Sequence, residues 1–232
     1  MIKDLMINFP KSYILHCKSL KERKIHMETF MLDFNINHEW VTDFDGVELT
    51  KEIIDEFYIQ DDVKVHERIA PLWPISQHQS RRLFNTEISL AIKHYKALEK
   101  ISENDEIGLV LEDDCLFCEN FIGVFNEMLS KTPNDWDVIH VGNGYGMHPE
   151  NYKKDCGNGC FLMKHPASRC TEAILFKKEA AKKIISNMKP ILLAADWELA
   201  YQYYKLDLNV YWWDPAPITQ ASHRNYFKSS IR

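Results

Sequence analysis

The chain has 232 residues, of which 45% are hydrophobic and 27% charged, with a formal net charge of −6. This length supports one sizeable domain, and no low-complexity linker or internal repeat divides it, so a single domain over 1–232 is expected. The acidic balance excludes a broad nucleic-acid surface, which needs cations to neutralise phosphates, and no apolar run approaches the roughly 20 residues that a membrane span requires.

Ser12 to Cys17 reads as a first strand. Ser19 follows as a helix N-cap with Glu22 three residues on, and the helix carries Arg23, Met27, Phe30, Met31 and Phe34 at helical spacing. His38 to Thr42 reads as a second strand, closed by the turn signal Asp43-Phe44-Asp45-Gly46. Residues 59–82 show no clear period and read as a long loop with at most one short element. Thr86 to Ile101 is a strong helix, with Ile88, Ala91, Ile92, Tyr95 and Leu98 on one side. Next come a strand over Ile107–Leu111, a helix from Asn120 to Ser130, and a strand over Asp137–Val141. Residues 147–168 read as loop. A strand at Glu172–Phe176, a helix over Lys178–Met188, a helix around Trp197–Tyr204 and a strand at Val210–Trp213 complete the pattern, with little regular signal after Asp214. Alternating strands and helices imply a three-layer α/β fold.

The N-terminus lacks the apolar core and small-residue cleavage site of a leader, and the chain contains no Asn-x-Ser/Thr sequon. A cytoplasmic protein, free or peripheral to a membrane, is therefore expected. Six cysteines include Cys115-x-x-Cys118 and Cys156-x-x-x-Cys160, spacings compatible with zinc. The first pair overlaps an acidic run and is read instead as packed, apolar cysteine. A pairing among Cys156, Cys160 and Cys170 needs an oxidising compartment.

The densest chemistry lies at Ile107-Gly108-Leu109-Val110-Leu111-Glu112-Asp113-Asp114. Here a buried-type strand runs directly into three carboxylates. In open α/β sheets, ligands collect beyond the carboxyl ends of the strands. Acidic oxygens placed there can hold a hard divalent cation, and the cation can hold a diphosphate. A solvated acidic turn is the plain alternative.

Across nearly its full length the chain resembles glycosyltransferase family 25. The resemblance is carried, in order, by Tyr13-Ile14-Leu15 through Leu20-Lys21-Glu22-Arg23, by Asp43-Phe44-Asp45-Gly46, by Thr86-Glu87-Ile88 through Lys93-His94, by Leu111-Glu112-Asp113-Asp114, by Trp136-Asp137-Val138-Ile139, by the isolated Asp196, and by Ser230-Ile231. Departures fall at Ser89, Leu90, Lys93 and Leu98, where the family pattern has Gly, Cys, Ser and Trp.

The resemblance implies a GT-A-type, Rossmann-like fold with a mixed, mostly parallel sheet. It implies a UDP-sugar donor, with galactose or glucose as the hexose, and a divalent metal, Mn²⁺ or Mg²⁺. The acceptor is a hydroxyl on a glycan or on a hydroxylysine-type side chain. Glu112 and Asp114 are spaced like the outer carboxylates of an Asp-x-Asp motif and are assigned to the metal, with His223 as a third ligand or a bystander. Asp113 is assigned to the ribose or donor sugar. Asp45 can accept hydrogen bonds from uracil or ribose, or simply form the turn before Gly46. Arg23 contacts the nucleotide or pairs with an acid; Arg224 and Lys228 are phosphate contacts or surface cations. Lys93 and His94 belong to the donor side, with a satisfied core histidine as the alternative for His94. Asp196 is the candidate base of an inverting displacement, or a helix N-cap.

A non-catalytic nucleotide-sugar-binding or scaffold domain is the competing reading. A nucleotidyltransferase fits less well, because no Gly-rich phosphate loop stands near the N-terminus: Gly46 is the first glycine.

Overall fold

The computed structural model describes residues 9–72, 80–150, 152–164, 168–222 and 226–227. One eight-stranded sheet organises them. In chain order its strands are β1 (Lys11–Leu15), β2 (His38–Val41), β3 (Ile107–Glu112), β5 (Val138–His140), β6 (Tyr152–Asp155), β7 (Cys160–Met163), β8 (Ala173–Lys177) and β9 (Val210–Trp213). A separate pair joins β4 (Cys115–Phe117) to β10 (Ile218–Gln220). The strand order of the large sheet is β2-β1-β3-β8-β5-β9-β7-β6. Its pairings set β2, β1, β3, β5, β9 and β6 in one direction and β8 and β7 in the other. The sheet is mixed and mostly parallel, as expected.

Helices cover both faces because the central strands bury both sets of side chains. Along β3, Leu109 and Leu111 pack with Met27 and Met31 of α1 (Lys21–Asp33) and with Phe121 and Phe125 of α5 (Phe121–Lys131). Val110 faces the other way, into the cluster formed by α4 (Asn85–Asn104), α6 (Lys178–Met188) and α7 (Ala195–Lys205). Each fully buried side chain of this size contributes about 1.5–3 kcal/mol. At Gly108 a Cβ would come 2.4 Å from the Ile101 side chain, so only glycine lets α4 sit this close to β3.

Several expectations are corrected. Ser19 does not cap α1; the cap position is Leu20, without a side-chain bond. The Ser19 hydroxyl instead contacts the Cys17 thiol at 3.2 Å, and the preceding backbone N–H of Lys18 is taken by Asp45. Residues 59–82 are not one loop: they contain α3 (Asp62–Ile69) and a 3-10 turn (Ala70–Leu72), preceded by α2 (Lys51–Phe57). The Asp61 side chain caps α3, and Val65 anchors it against Leu192, Leu193 and Ala200. Residues 147–168 contain the β6–β7 hairpin. Every residue of the edge strand β6 is exposed, which is why it shows no apolar alternation. The tail after Asp214 supplies β10. All six cysteines are free. Among the described residues no helix is long and apolar enough to cross a membrane.

Candidate active site

Parallel pairing brings Leu15 opposite Glu112, so the segments leaving β1 and β3 emerge side by side. That register creates the site. Asp113, in the turn after β3, is buried and held from two directions. Arg23 Nη1 donates to its Oδ1 at 2.7 Å, and His16 Nδ1 lies 2.7 Å from its Oδ2. Asp114 is also buried. Its Oδ2 stands 3.6 Å from Arg23 Nη1, while its Oδ1 has no hydrogen-bond partner among the described residues. The Asp114 carbonyl accepts from Ala221 N at 2.7 Å, which ties the segment after β10 to the acidic turn.

Glu112 accepts from Thr171 Oγ1 at 2.6 Å, and Gln220 Nε2 approaches at 3.5 Å. Burial first, then the charges of Asp114, Glu172 and Asp113, push its carboxyl up to about 8, against a single lowering bond from Thr171. Glu172 lies just ahead of β8 and beside the end of β3: its carbonyl accepts from Glu112 N at 2.9 Å. Its buried carboxylate accepts from Gly144 N at 2.6 Å through Oε1 and has no described partner at Oε2. Burial raises this carboxyl to about 7. Four carboxylates, of Glu112, Asp113, Asp114 and Glu172, are therefore gathered at one strand end, and Asp114 Oδ1 and Glu172 Oε2 have no hydrogen-bond partner among the described residues.

A cleft opens beside this group, lined by the end of β1, Cys17, Leu20, Arg23, Gly46, Thr86, Ser89, Leu90, Lys93, Glu112 and Asp113. Gly46 closes one wall: a Cβ there would stand 3.1 Å from Thr86 N, so the turn after β2 packs directly on the start of α4. Lys93 reaches into the cleft from α4. Its ammonium donates to Asp45 Oδ1 at 2.5 Å and to the carbonyl of His16. Asp45 Oδ2 accepts from Lys18 N at 2.9 Å. Burial pushes Asp45 up, but these bonds more than offset it and leave the carboxyl below its ordinary range. Arg23, Lys93, Asp113 and Glu112 thus line one cleft, with Asp45 bonded to Lys93 behind its wall.

His94 is not on that cleft. It is fully buried behind Glu112, with Nε2 4.0 Å from Oε1, and neither ring nitrogen has a hydrogen-bond partner among the described residues. Burial lowers it to about 3, so it is neutral at physiological pH.

Asp196 lies in the first turn of α7, whose cap position is Ala194; the N-cap alternative does not hold. The helix begins earlier than its apolar pattern suggests because Glu198 reaches back to accept from Leu192 N (3.1 Å) and Leu193 N (3.2 Å). Burial pushes the Asp196 carboxyl up to about 6. The Cys170 thiol is raised by burial and then by the charges of Glu172, Asp196 and Glu112. His223, Arg224 and Lys228 lie outside the described residues, as do Ser230 and Ile231. Among the described residues no group of three or more His, Cys, Asp or Glu side chains stands ready to hold a metal. Thr171, Glu172, Gln220 and Glu198 are contributors the sequence does not single out. The one available signal is a polar run, Arg169 to Glu172, that halts abruptly at an apolar strand.

A family model described as glycosyltransferase family 25 (LPS biosynthesis protein) matches residues 9–198. No curated protein matches the chain. Similar solved structures include the catalytic domain of Drosophila β1,4-galactosyltransferase 7 in complex with xylobiose, at 14% identity and TM-score 0.48, covering 97% of this chain and 76% of that one. A mutant of that Drosophila enzyme with manganese, UDP-Gal and xylobiose gives 14% identity and TM-score 0.45 over the same shares. Mouse xyloside xylosyltransferase 1, in its apo form, gives 6% identity and TM-score 0.36, covering 87% and 83%. These likenesses are distant, and the assignment rests on the family match, which spans most of the sequence. The chain belongs to glycosyltransferase family 25.

Proposed function

We propose that the chain transfers a hexose, galactose or glucose, from a UDP-sugar to a hydroxyl acceptor by a single inverting displacement that depends on Mn²⁺ or Mg²⁺. The observation that carries this reading is the oxygen of Asp114 that has no hydrogen-bond partner among the described residues, buried beside a Glu112 carboxyl that burial and then the charge of Asp114 push up to about 8. A buried carboxylate oxygen without a donor gains far more from a cation than a solvated one would. Asp114 and Glu112 would hold the ion, with His223 as a further ligand, and the ion supplies Lewis-acid stabilisation of the departing diphosphate.

The remaining work falls to protein groups. Arg23 and Lys93 set the charge of the donor cleft while holding Asp113 and Asp45 in place. Asp196 takes the acceptor proton. A carboxyl at about 6 is ionised at neutral pH yet more basic than an ordinary aspartate, which suits a general base. A hydrolysis screen over UDP-sugars, with and without Mn²⁺, tests the proposal. One donor should be consumed in a metal-dependent manner. Nucleotide binding without turnover of any donor would favour a binding domain, a reading to which the internal pairing of both Asp45 and Asp113 lends some weight.

A further inference from the structure

His16 stands one residue past β1, where the sheet delivers the chain to the cleft, and it lines that cleft. Its backbone is fixed on both sides. The N–H donates to Val41 O at 3.1 Å, and the carbonyl accepts from the Lys93 ammonium. The ring is fixed as well. Nδ1 lies 2.7 Å from Asp113 Oδ2, and the Trp40 ring packs at 68° to the imidazole with centroids 5.1 Å apart. Asp113 decides which nitrogen carries the proton. A carboxylate only accepts, and its Oδ1 already takes Arg23 at 2.7 Å. The proton shared with Oδ2 therefore sits on Nδ1, which in the neutral ring leaves Nε2 as a lone-pair acceptor. Nε2 has no hydrogen-bond partner among the described residues and, unlike both ring nitrogens of His94, it is not sealed from solvent. The cations that line the same cleft, Arg23 and Lys93, can only donate.

We infer that His16 is a specificity-determining residue of the donor cleft: its Nε2 accepts a hydrogen bond from an N–H or O–H group of the nucleoside, and Asp113 is the positioning residue that holds the imidazole in the accepting tautomer. This inference rests on the transfer reading above. The diphosphate of a nucleotide sugar cannot fill this role, because at neutral pH its oxygens carry no proton to donate; they suit the cations instead. In a uridine nucleotide the available donors are the imide N–H of the base and the ribose hydroxyls. Asp113, with both oxygens taken inside the protein, acts on the ligand through His16.

The test uses the full chain with diamagnetic Mg²⁺ at pH 8. Long-range ¹H–¹⁵N NMR reads the protonation of each imidazole nitrogen, and the His16 signals are those missing from His16→Asn. The expected result is a proton on Nδ1, a lone pair on Nε2, and an Nε2 signal that moves when UDP is added but not when inorganic pyrophosphate is added. Affinities supply the second readout. His16→Asn keeps an N–H for Asp113 but places nothing at the Nε2 position, so it should weaken UDP binding by about fivefold or more and leave pyrophosphate binding unchanged. His16→Gln, whose amide oxygen reaches that position, should restore most of the loss. Of N3-methyl-UDP, 2′-deoxy-UDP and 3′-deoxy-UDP, one should bind the unaltered chain and the Asn variant alike, which identifies the contacting group. Four results would overturn the inference: a proton on Nε2, an Nε2 signal unmoved by bound UDP, undiminished UDP binding or an equal loss of UDP and pyrophosphate in His16→Asn, or a loss that persists with all three analogues. Absence of UDP binding from the unaltered chain would overturn the transfer reading and this inference together, whereas UDP binding with any of the four results overturns this inference alone.

Discussion

Arg23 serves two neighbouring carboxylates: its Nη1 donates to Asp113 Oδ1 at 2.7 Å and stands 3.6 Å from Asp114 Oδ2. All three side chains are buried, so this one cation offsets much of the charge gathered at the end of β3. Removing one partner of a buried pair leaves an uncompensated charge, which typically costs about 3–5 kcal/mol. Arg23→Met should lower stability by an amount of that order, read as a fall in the urea midpoint at neutral pH. A midpoint unchanged within error would mean that Asp113 and Asp114 are adequately solvated without it.

For Asp196 the shift has two consequences of opposite sign. As the base, it must be ionised, so turnover should rise with pH through an inflection near 6. Asp196→Asn should cut turnover by about 10²–10⁴-fold while UDP affinity barely changes. For stability, a carboxyl raised by burial binds its proton more tightly in the folded state, so its ionised form opposes folding. The Asn variant should therefore melt higher than the unaltered chain at pH 7.5, and this advantage should shrink at pH 5, where the native Asp196 is mostly protonated. Equal melting differences at the two pH values would contradict the raised value.

Glu198 sets the approach to Asp196. Fully buried, it accepts from Arg68, Leu192 N, Leu193 N and Gln202 Nε2. The Arg68 bond fastens α3 to α7. Glu198→Ala should destabilise by about 3–5 kcal/mol, because it strands a cation and two backbone donors. In a double-mutant cycle with Arg68→Met, the coupling should lie in the range of roughly 0.5–3 kcal/mol found for contacting residues. A coupling near zero would mean that the pair does not join the two helices.

Asp114→Ala removes a buried carboxylate, one oxygen of which has no hydrogen-bond partner among the described residues. Turnover should vanish while the melting temperature stays the same or rises. A variant that retains its rate would remove Asp114 from the site.

How much of this was readable in the sequence depended on whether the information was local. β3 and its acids stand out because an apolar run of strand length ends in three carboxylates. α4, α6 and β9 stand out because their faces are buried along their whole length. β6 does not, since an exposed edge strand has no apolar face to alternate. α3 is equally hidden, because it is held by a few contacts such as Val65 and by the distant Glu198. The same limit applies to the site. Arg23, Asp45 and Lys93 were identifiable as candidates, but not that Lys93 would occupy Asp45, 48 positions away. Glu172 was illegible, because its place beside Glu112 depends on the antiparallel pairing of β8 with β3. His94 falls on the buried face of α4, and only the packing shows that it backs Glu112 without reaching the donor cleft.

The most direct test of metal-dependent UDP-sugar transfer is calorimetric titration of UDP into the unaltered chain, once with Mn²⁺ and once with EDTA. The crowded carboxylates at the end of β3 predict that Mn²⁺ tightens UDP binding by at least tenfold, about 1.4 kcal/mol. Equal affinity in EDTA would contradict the role assigned to Glu112 and Asp114.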